Sequence, residues 1–308
     1  MRVLCALVLS AASSTALAFL AAACGSSEDG PASAPLDGGG LPTKTDAQGG
    51  DASTPPGTPG RTYAHTVDTL YLFEPVSRDI KEIGKFSCLR KGEVVIDLAV
   101  DRTGNVYATT FNRFLTVDPN TASCTVIKEA EGGGTYPNAL SFVPAGTLDP
   151  TTEALVGYAQ SATDVEADDY VRIDTKTGEI TKIGELNVAD AGTQYFSSGD
   201  LFSLIQDSNR TFLSVRVLGD VGGTDRIAEV DPASGAIKRI VGDTMQRNIF
   251  GLGYWGGKGY GFSEDGRVSE IDMTTGVAVI VKTLTAVTGG SPLPWYGAGV
   301  TTEAPTTR

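Results

Sequence analysis

The chain of 308 residues is 41% hydrophobic, 20% charged and only 7% aromatic, with 38 glycines, 15 prolines and one histidine. That much Gly and Pro is foreign to a helical bundle, and a lone His excludes a multi-histidine metal centre. A formal charge of −13 excludes a nucleic-acid partner held through phosphate contacts, which needs a basic footprint.

Arg2 precedes an apolar stretch from Val3 to Ala23, which ends in small residues before Cys24-Gly25-Ser26-Ser27. A positive residue, an apolar segment and a small-residue cleavage region predict a secretory signal. The alternative is a transmembrane span, but Ala and Ser dilute the segment and no basic stop-transfer cluster follows. The run Leu20-Ala21-Ala22-Ala23-Cys24 resembles the lipobox of bacterial lipoproteins. Its Leu stands one place early, and Ala occupies the usual branched apolar position. The resemblance implies cleavage before Cys24 and acylation of its sulfur; two or three acyl chains would anchor the protein stably in a membrane. Gly25 stands where lipoproteins held at the inner membrane carry Asp, which implies the outer membrane, facing the periplasm or the cell surface. Residues 25–60 contain nine Gly and six Pro and only Leu36 and Leu41 as large apolar residues. They read as a flexible tether with no core.

From Arg61 a block recurs. An apolar strand ends in an acidic residue and a turn at Glu74, Asp118, Asp174, Asp231 and Asp272; the last three lead into Thr177-Gly178, Ser234-Gly235 and Thr275-Gly276. Asp accepting backbone hydrogen bonds and Gly supplying positive φ predict hairpins, so these acidic residues read as turn caps. A second column is Tyr63-Ala64, Tyr107-Ala108, Tyr158-Ala159, Leu213-Ser214 and Tyr260-Gly261. A third is Leu98-Ala99-Val100, Leu140-Ser141-Phe142, Phe202-Ser203-Leu204, Phe250-Gly251-Leu252 and Tyr296-Gly297-Ala298. The order is third column, second column, hairpin. The first block lacks its opening strand, and an unaccompanied one at Tyr296 supplies it, which closes a ring. The prediction is an all-β, five-bladed β-propeller of four-stranded blades, its closing blade shared between N- and C-terminal segments. A six-bladed propeller and a β-sandwich are the alternatives. The chain then divides into a signal peptide (1–23), lipidated Cys24 with the tether (24–61), the propeller (62–303) and a disordered tail (304–308).

The turn Asp101-Arg102-Thr103-Gly104-Asn105-Val106-Tyr107 resembles those of NHL and gluconolactonase-type propellers, and the D-x-x-[ST]-G turns resemble quinoprotein-type and YVTN-type repeats. These resemblances imply the propeller class and no particular activity. The tryptophan that ends many quinoprotein repeats is missing, so no quinone or other cofactor is expected.

In such a ring one face gathers the starts of the inner strands. The ligand-face candidates are Asp97, Asn138, Asp200, Asn248, Trp295 and Tyr296, overhung by loops from Ser161 to Asp169 and from Leu218 to Asp225. Asp164, Glu166, Asp168 and Asp169 are candidate ligands for Ca²⁺, without EF-hand spacing; otherwise they keep an acidic loop soluble. There is no G-x-S-x-G elbow, and Gly132-Gly133-Gly134 lacks the Lys-Ser/Thr of a phosphate loop. His65 is expected to be packed in the closing blade, so catalytic residues: none. Cys88 and Cys124 are the cysteines left in an exported domain, which suggests a disulfide. Topology opposes it, placing them about eight strand positions apart unless the loop from Cys88 to Val94 folds down. The expected function is a non-enzymatic, lipid-anchored envelope module presenting one face to a protein, a glycan or an envelope polymer, as a monomer. The alternative is a metal-dependent lactonase- or lyase-like enzyme with its metal at the axis near Asp97, Asn138, Asp200 and Asn248.

Overall fold

The computed structural model describes residues 61–160, 168–188, 192–220, 222–285 and 290–307. The signal, Cys24 and the tether, and with them Asp164 and Glu166, lie outside the described residues. Twenty strands form five four-stranded antiparallel sheets. Blade I runs outward from β20 (Gly297–Val300) through β1 (Thr62–His65) and β2 (Thr69–Glu74) to β3 (Asp79–Lys85). Blade II is β4 (Val95–Val100), β5 (Val106–Thr110), β6 (Arg113–Val117) and β7 (Cys124–Glu129). Blade III is β8 (Asn138–Val143), β9 (Ala154–Gln160), β10 (Asp168–Ile173) and β11 (Ile180–Glu185). Blade IV is β12 (Tyr195–Leu204), β13 (Arg210–Val217), β14 (Arg226–Val230) and β15 (Ile237–Asp243). Blade V is β16 (Ile249–Trp255), β17 (Lys258–Ser263), β18 (Arg267–Asp272) and β19 (Ala278–Thr283). The fold is the expected five-bladed propeller, closed by pairing of β20 with β1 from Gly297↔His65 to Val300↔Thr62.

Each blade is buried on both faces because alternate side chains of one strand serve different neighbours. On β2, Leu70 and Leu72 pack towards blade II, while Tyr71 and Phe73 pack towards blade V. The same division gives one apolar cluster at each of the five junctions between adjacent blades. The outer strands β3, β7, β11, β15 and β19 each carry Lys and are exposed or half-buried at nearly every position. A register shift sets each of them off from its neighbour. Charge and bulges at an exposed edge oppose pairing with another chain.

The acidic hairpin residues cap turns as expected in four blades: the carboxylates of Asp118, Asp174, Asp231 and Asp272 each accept two backbone N–H groups of their own turn. Glu74 does not. In all five hairpins the residue four places on donates its N–H back to the acidic residue's carbonyl with positive φ: Arg78, Ala122, Gly178, Gly235 and Gly276.

The ladders correct two alignments in the second column. Tyr63, Tyr107 and Tyr260 are equivalent, facing Gly299, Ala99 and Gly253. Tyr158 lies two residues further on, opposite Asn138, and Phe212 rather than Leu213 faces Phe202. Within the segment expected to be a disordered tail, Ala304 is buried and Pro305 O accepts the N–H of Gly256.

Cys88 and Cys124 are bonded, with Cα atoms 5.3 Å apart. The expected separation assumed flat, aligned blades. Twist of roughly 20–25° per strand turns the outer strand far from the axis, so its end points at the next blade's hairpin. Ser87 N accordingly donates to Ala122 O, and Cys124 N to Ser87 Oγ. Arg113 holds the following loop through Glu93 and the Cys88 carbonyl. Replacing both cysteines by serine is expected to lower stability by about 3–4 kcal/mol, the chain-entropy value for a loop of this length. Urea unfolding of the oxidised and double-serine chains checks this, and coincident midpoints would refute it.

Candidate functional site

Five inner strands converge on the axis, where there is little room for side chains. Asp97, Ala139, Asp200, Gly251 and Gly297 hold the corresponding place in β4, β8, β12, β16 and β20. The glycines are required by close approach. A Cβ on Gly251 would lie 2.8 Å from Ala298 N, and one on Gly297 would lie 2.5 Å from His65 Nε2 and 2.8 Å from Asp97 Oδ1. The small residues at three places leave space for two carboxyl groups.

Those two groups bind all five blades together. Asp97 Oδ1 accepts the N–H of Leu98 at 2.6 Å, and Asp97 Oδ2 that of Leu140 at 2.6 Å. Asp200 Oδ2 accepts from Leu252 at 3.1 Å and from Ala298 at 2.6 Å. Asp200 Oδ1 receives no N–H; the two carboxyls lie close enough to couple, and since two buried carboxyls so placed resist ionising together, they are expected to hold a proton between them. Burial pushes Asp97 up to about 7, against the pull of its hydrogen bonds from Asp200 and the backbone. Asp200 is raised well above the carboxylate range, by burial and then by the charge of Asp97. His65, on β1 beside the pair, is wholly buried. Its Nδ1 donates to Thr66 O at 2.9 Å, Nε2 has no partner, and burial lowers its pKa to about 4.

Above the pair opens a cavity of about 730 Å³. Ile96, Phe111, Tyr136, Pro137, Phe196, Phe250 and Tyr296 give it apolar and aromatic walls, and Asn138 and Arg216 supply polar groups. Phe250 and Tyr296 are half-buried with ring centres 6.4 Å apart, and Phe111 is 62% exposed. Arg216 lies 5.9 Å from the Phe196 ring centre, and its charge is met by the buried carboxylate of Asp225 at 2.8 Å. Asp168, raised to about 6 by burial, stands at the rim and accepts the N–H of Ser197.

Four of the six ligand-face candidates, Asp97, Asn138, Asp200 and Tyr296, border this cavity. Trp295 does not: it is fully buried, edge-on to Tyr71 and Phe262, with Nε1 donating to Gly266 O. Asn248 is turned aside, accepting from Arg216 and donating to Glu264. Asp169 pairs with Lys182 on the outer side. Among the described residues, no three His, Cys, Asp or Glu side chains gather as a metal site. Phe111, Phe196 and Arg216 were missed by sequence reading, since the first lies in a β5–β6 turn and the others on strand ends outside the repeat columns.

No protein-family model matches the sequence, and no curated protein matches it. Similar solved structures include a chain of a nidogen–laminin complex, at 11% identity and TM-score 0.47, covering 79% of this chain and 99% of that one. The Dos1 propeller is 11% identical at TM-score 0.37, covering 75% and 68%. BamB from Moraxella catarrhalis is 14% identical at TM-score 0.32, covering 74% and 60%. At these identities the likeness extends to the fold alone.

The shared proton has a thermodynamic consequence. Two exposed carboxyls release their protons near pH 4, whereas the folded pair keeps one, so the folded state binds more protons and loses stability as pH rises from about 4 to 7. Asp168 acts in the same direction up to about pH 6. His65, neutral when folded, acts in the opposite direction between about 4 and 6.5. Asp200→Asn places an amide where the protonated acid stood, still accepting from Leu252 and Ala298 and donating to Asp97. It is expected to fold and to fall less in Tm between pH 5 and 7.5 than the wild type. Asp97→Asn sets an NH₂ against a backbone N–H and is expected to cost about 2–3 kcal/mol. Parallel Tm profiles for wild type and Asp200→Asn, followed by circular dichroism, would refute the shared proton.

Proposed function

We propose that the protein is a lipid-anchored envelope module that binds a ligand in the axial mouth and performs no chemistry on it. The observation that carries this reading is the ring-walled cavity above a floor already committed to structure. Three of the four oxygens of Asp97 and Asp200 are occupied by backbone N–H groups, which leaves no free acid–base couple. The rings offer apolar area and π faces suited to a side chain of a partner protein or to a sugar. The axial donor set wanted by a lactonase-like enzyme does not assemble, since Asn248 faces Arg216 and Glu264.

The anchoring half of the proposal rests on Cys24 and the small residues before it, and outer-membrane residence on Gly25.

Cys24→Ser is expected to move the protein from the membrane pellet to the soluble fraction and to abolish incorporation of labelled palmitate; an unchanged pellet would refute the anchor. Envelope extracts passed over immobilised protein are expected to yield a retained ligand. Phe250→Ala and Tyr296→Ala should each weaken retention by about tenfold, the value of one ring removed from water on binding, with Tm little changed. Retention unaltered in both variants would place the binding face elsewhere.

A further inference from the structure

Beside the hydroxyl of Ser198, the floor of the mouth presents a buried acceptor. Asp200 is 1% exposed, borders the cavity, and its Oδ1 receives no N–H, while the other three carboxylate oxygens of the pair are taken. Behind the cavity lining lies a second buried acceptor, His65: with Nδ1 donating to Thr66, the lone pair of Nε2 has no donor, and Nε2 and Asp97 Oδ1 flank the space left by Gly297. The cation that borders the cavity, Arg216, is neutralised by Asp225 and tied to Asn248. The walls are rings, whose faces carry the negative end of the aromatic quadrupole. Anionic acceptors below and ring faces around them repel a carboxylate or phosphate, and offer a neutral alcohol no charge to match theirs. They suit a positive nitrogen bearing several N–H groups, and the cavity of about 730 Å³ falls within the roughly 300–1,000 Å³ of small-molecule sites.

We infer that the mouth takes an organic ammonium, with its charged nitrogen on Asp200 Oδ1 and its apolar body between the rings of Phe196, Phe250 and Tyr296. This rests on the binding reading above and names the chemistry of the ligand.

In the empty site the proton shared by Asp97 and Asp200 fills the same role, so the ammonium displaces it: one N–H···O bond to Asp200 forms as one proton leaves to solvent. Affinity therefore rises with pH, by up to about tenfold per unit while the pair is protonated. Of the other titratable groups around the pair, Asp168, raised to about 6 by burial, also ionises as pH rises from 6, and Asp200→Asn separates its contribution from that of the pair. His65 on β1 is already neutral over that range. Tyr158 on β9 is committed through its hydroxyl to Gly235 O. Asp168 on β10 is bound to the Ser197 N–H at the rim, and Arg216 on β13 is held by Asp225. The corresponding positions of β8, β16 and β20 are Ala139, Gly251 and Gly297, with nothing to titrate.

The test is calorimetric titration of the full chain with benzylammonium, benzyl alcohol and benzoate at pH 6 and pH 8. Benzylammonium is expected to bind at least tenfold more tightly than the alcohol, benzoate most weakly, and benzylammonium about tenfold or more tightly at pH 8 than at pH 6. Asp200→Asn, with its fold checked by circular dichroism, should lose both the preference and the pair's share of the pH dependence, whereas Phe250→Ala should weaken all the probes that bind. Equal affinity for the alcohol and the ammonium, or ammonium binding that ignores pH, overturns the inference and leaves the mouth a binding site. Absence of binding by all three probes also overturns it, and the retention experiment with Phe250→Ala and Tyr296→Ala then decides the broader reading separately.

Discussion

A ring of blades turns the inner edge of every sheet towards a narrow axis that water cannot fill freely, and each edge brings unpaired amides with it. Buried N–H groups without acceptors are costly. Here Asp97 and Asp200 answer for four of them, taking the N–H groups of Leu98, Leu140, Leu252 and Ala298. Blade IV, which sends no amide among these, contributes Asp200 itself. The two carboxyls thus act as a hub, and their mutual repulsion is relieved by retaining a proton. Other features follow from that hub: glycine on two neighbouring strands, alanine on a third, and a neutral histidine packed alongside.

The two ends of the ring differ accordingly. At the end away from the mouth, Glu153 accepts from Arg102 N and from the Thr302 hydroxyl, and Thr302 O accepts from Ile205 N. Those bonds join blades II, III and IV to the segment after β20. At the mouth, inter-blade bonds such as those from Ser197 N to Asp168 and from Ile249 N to Asp225 are joined by the rings that wall the cavity.

Architecture was readable because it depends on short-range chemistry. Hairpins announce themselves through Asp174, Asp231 and Asp272 with their glycines, and the displaced strand at the end of the repeat implies closure whatever its register. Register itself was harder. Phe202-Ser203-Leu204 is offset by one place and Phe250-Gly251-Leu252 by two from the true alignment, because a large–small–large pattern recurs within the same strand. Only cross-strand partners, such as Gly253 with Tyr260, fix the phase. Asp97 and Asp200 were found because each stands just before a triplet of the repeat, at the expected start of an inner strand. Trp295 misled because an aromatic at a strand start serves a rim or an inter-blade core equally well, and what decides is its Nε1 partner across the blade, Gly266 O. The twist that brings Cys88 to Cys124 leaves no sequence signature at all.

The strand nearest the axis of blade I is β20, which follows the other nineteen in the chain, and its amide at Ala298 is one of the four that the hub requires. The domain therefore has no finished centre until the final strand arrives: before that, Asp200 holds one amide fewer and β1 exposes a bare edge. Pairing β1 with β20 joins the most distant strands in the sequence, the kind of contact whose loop-closure entropy makes folding slow. Closure of the ring therefore waits on β20, the last of the described strands to be synthesised.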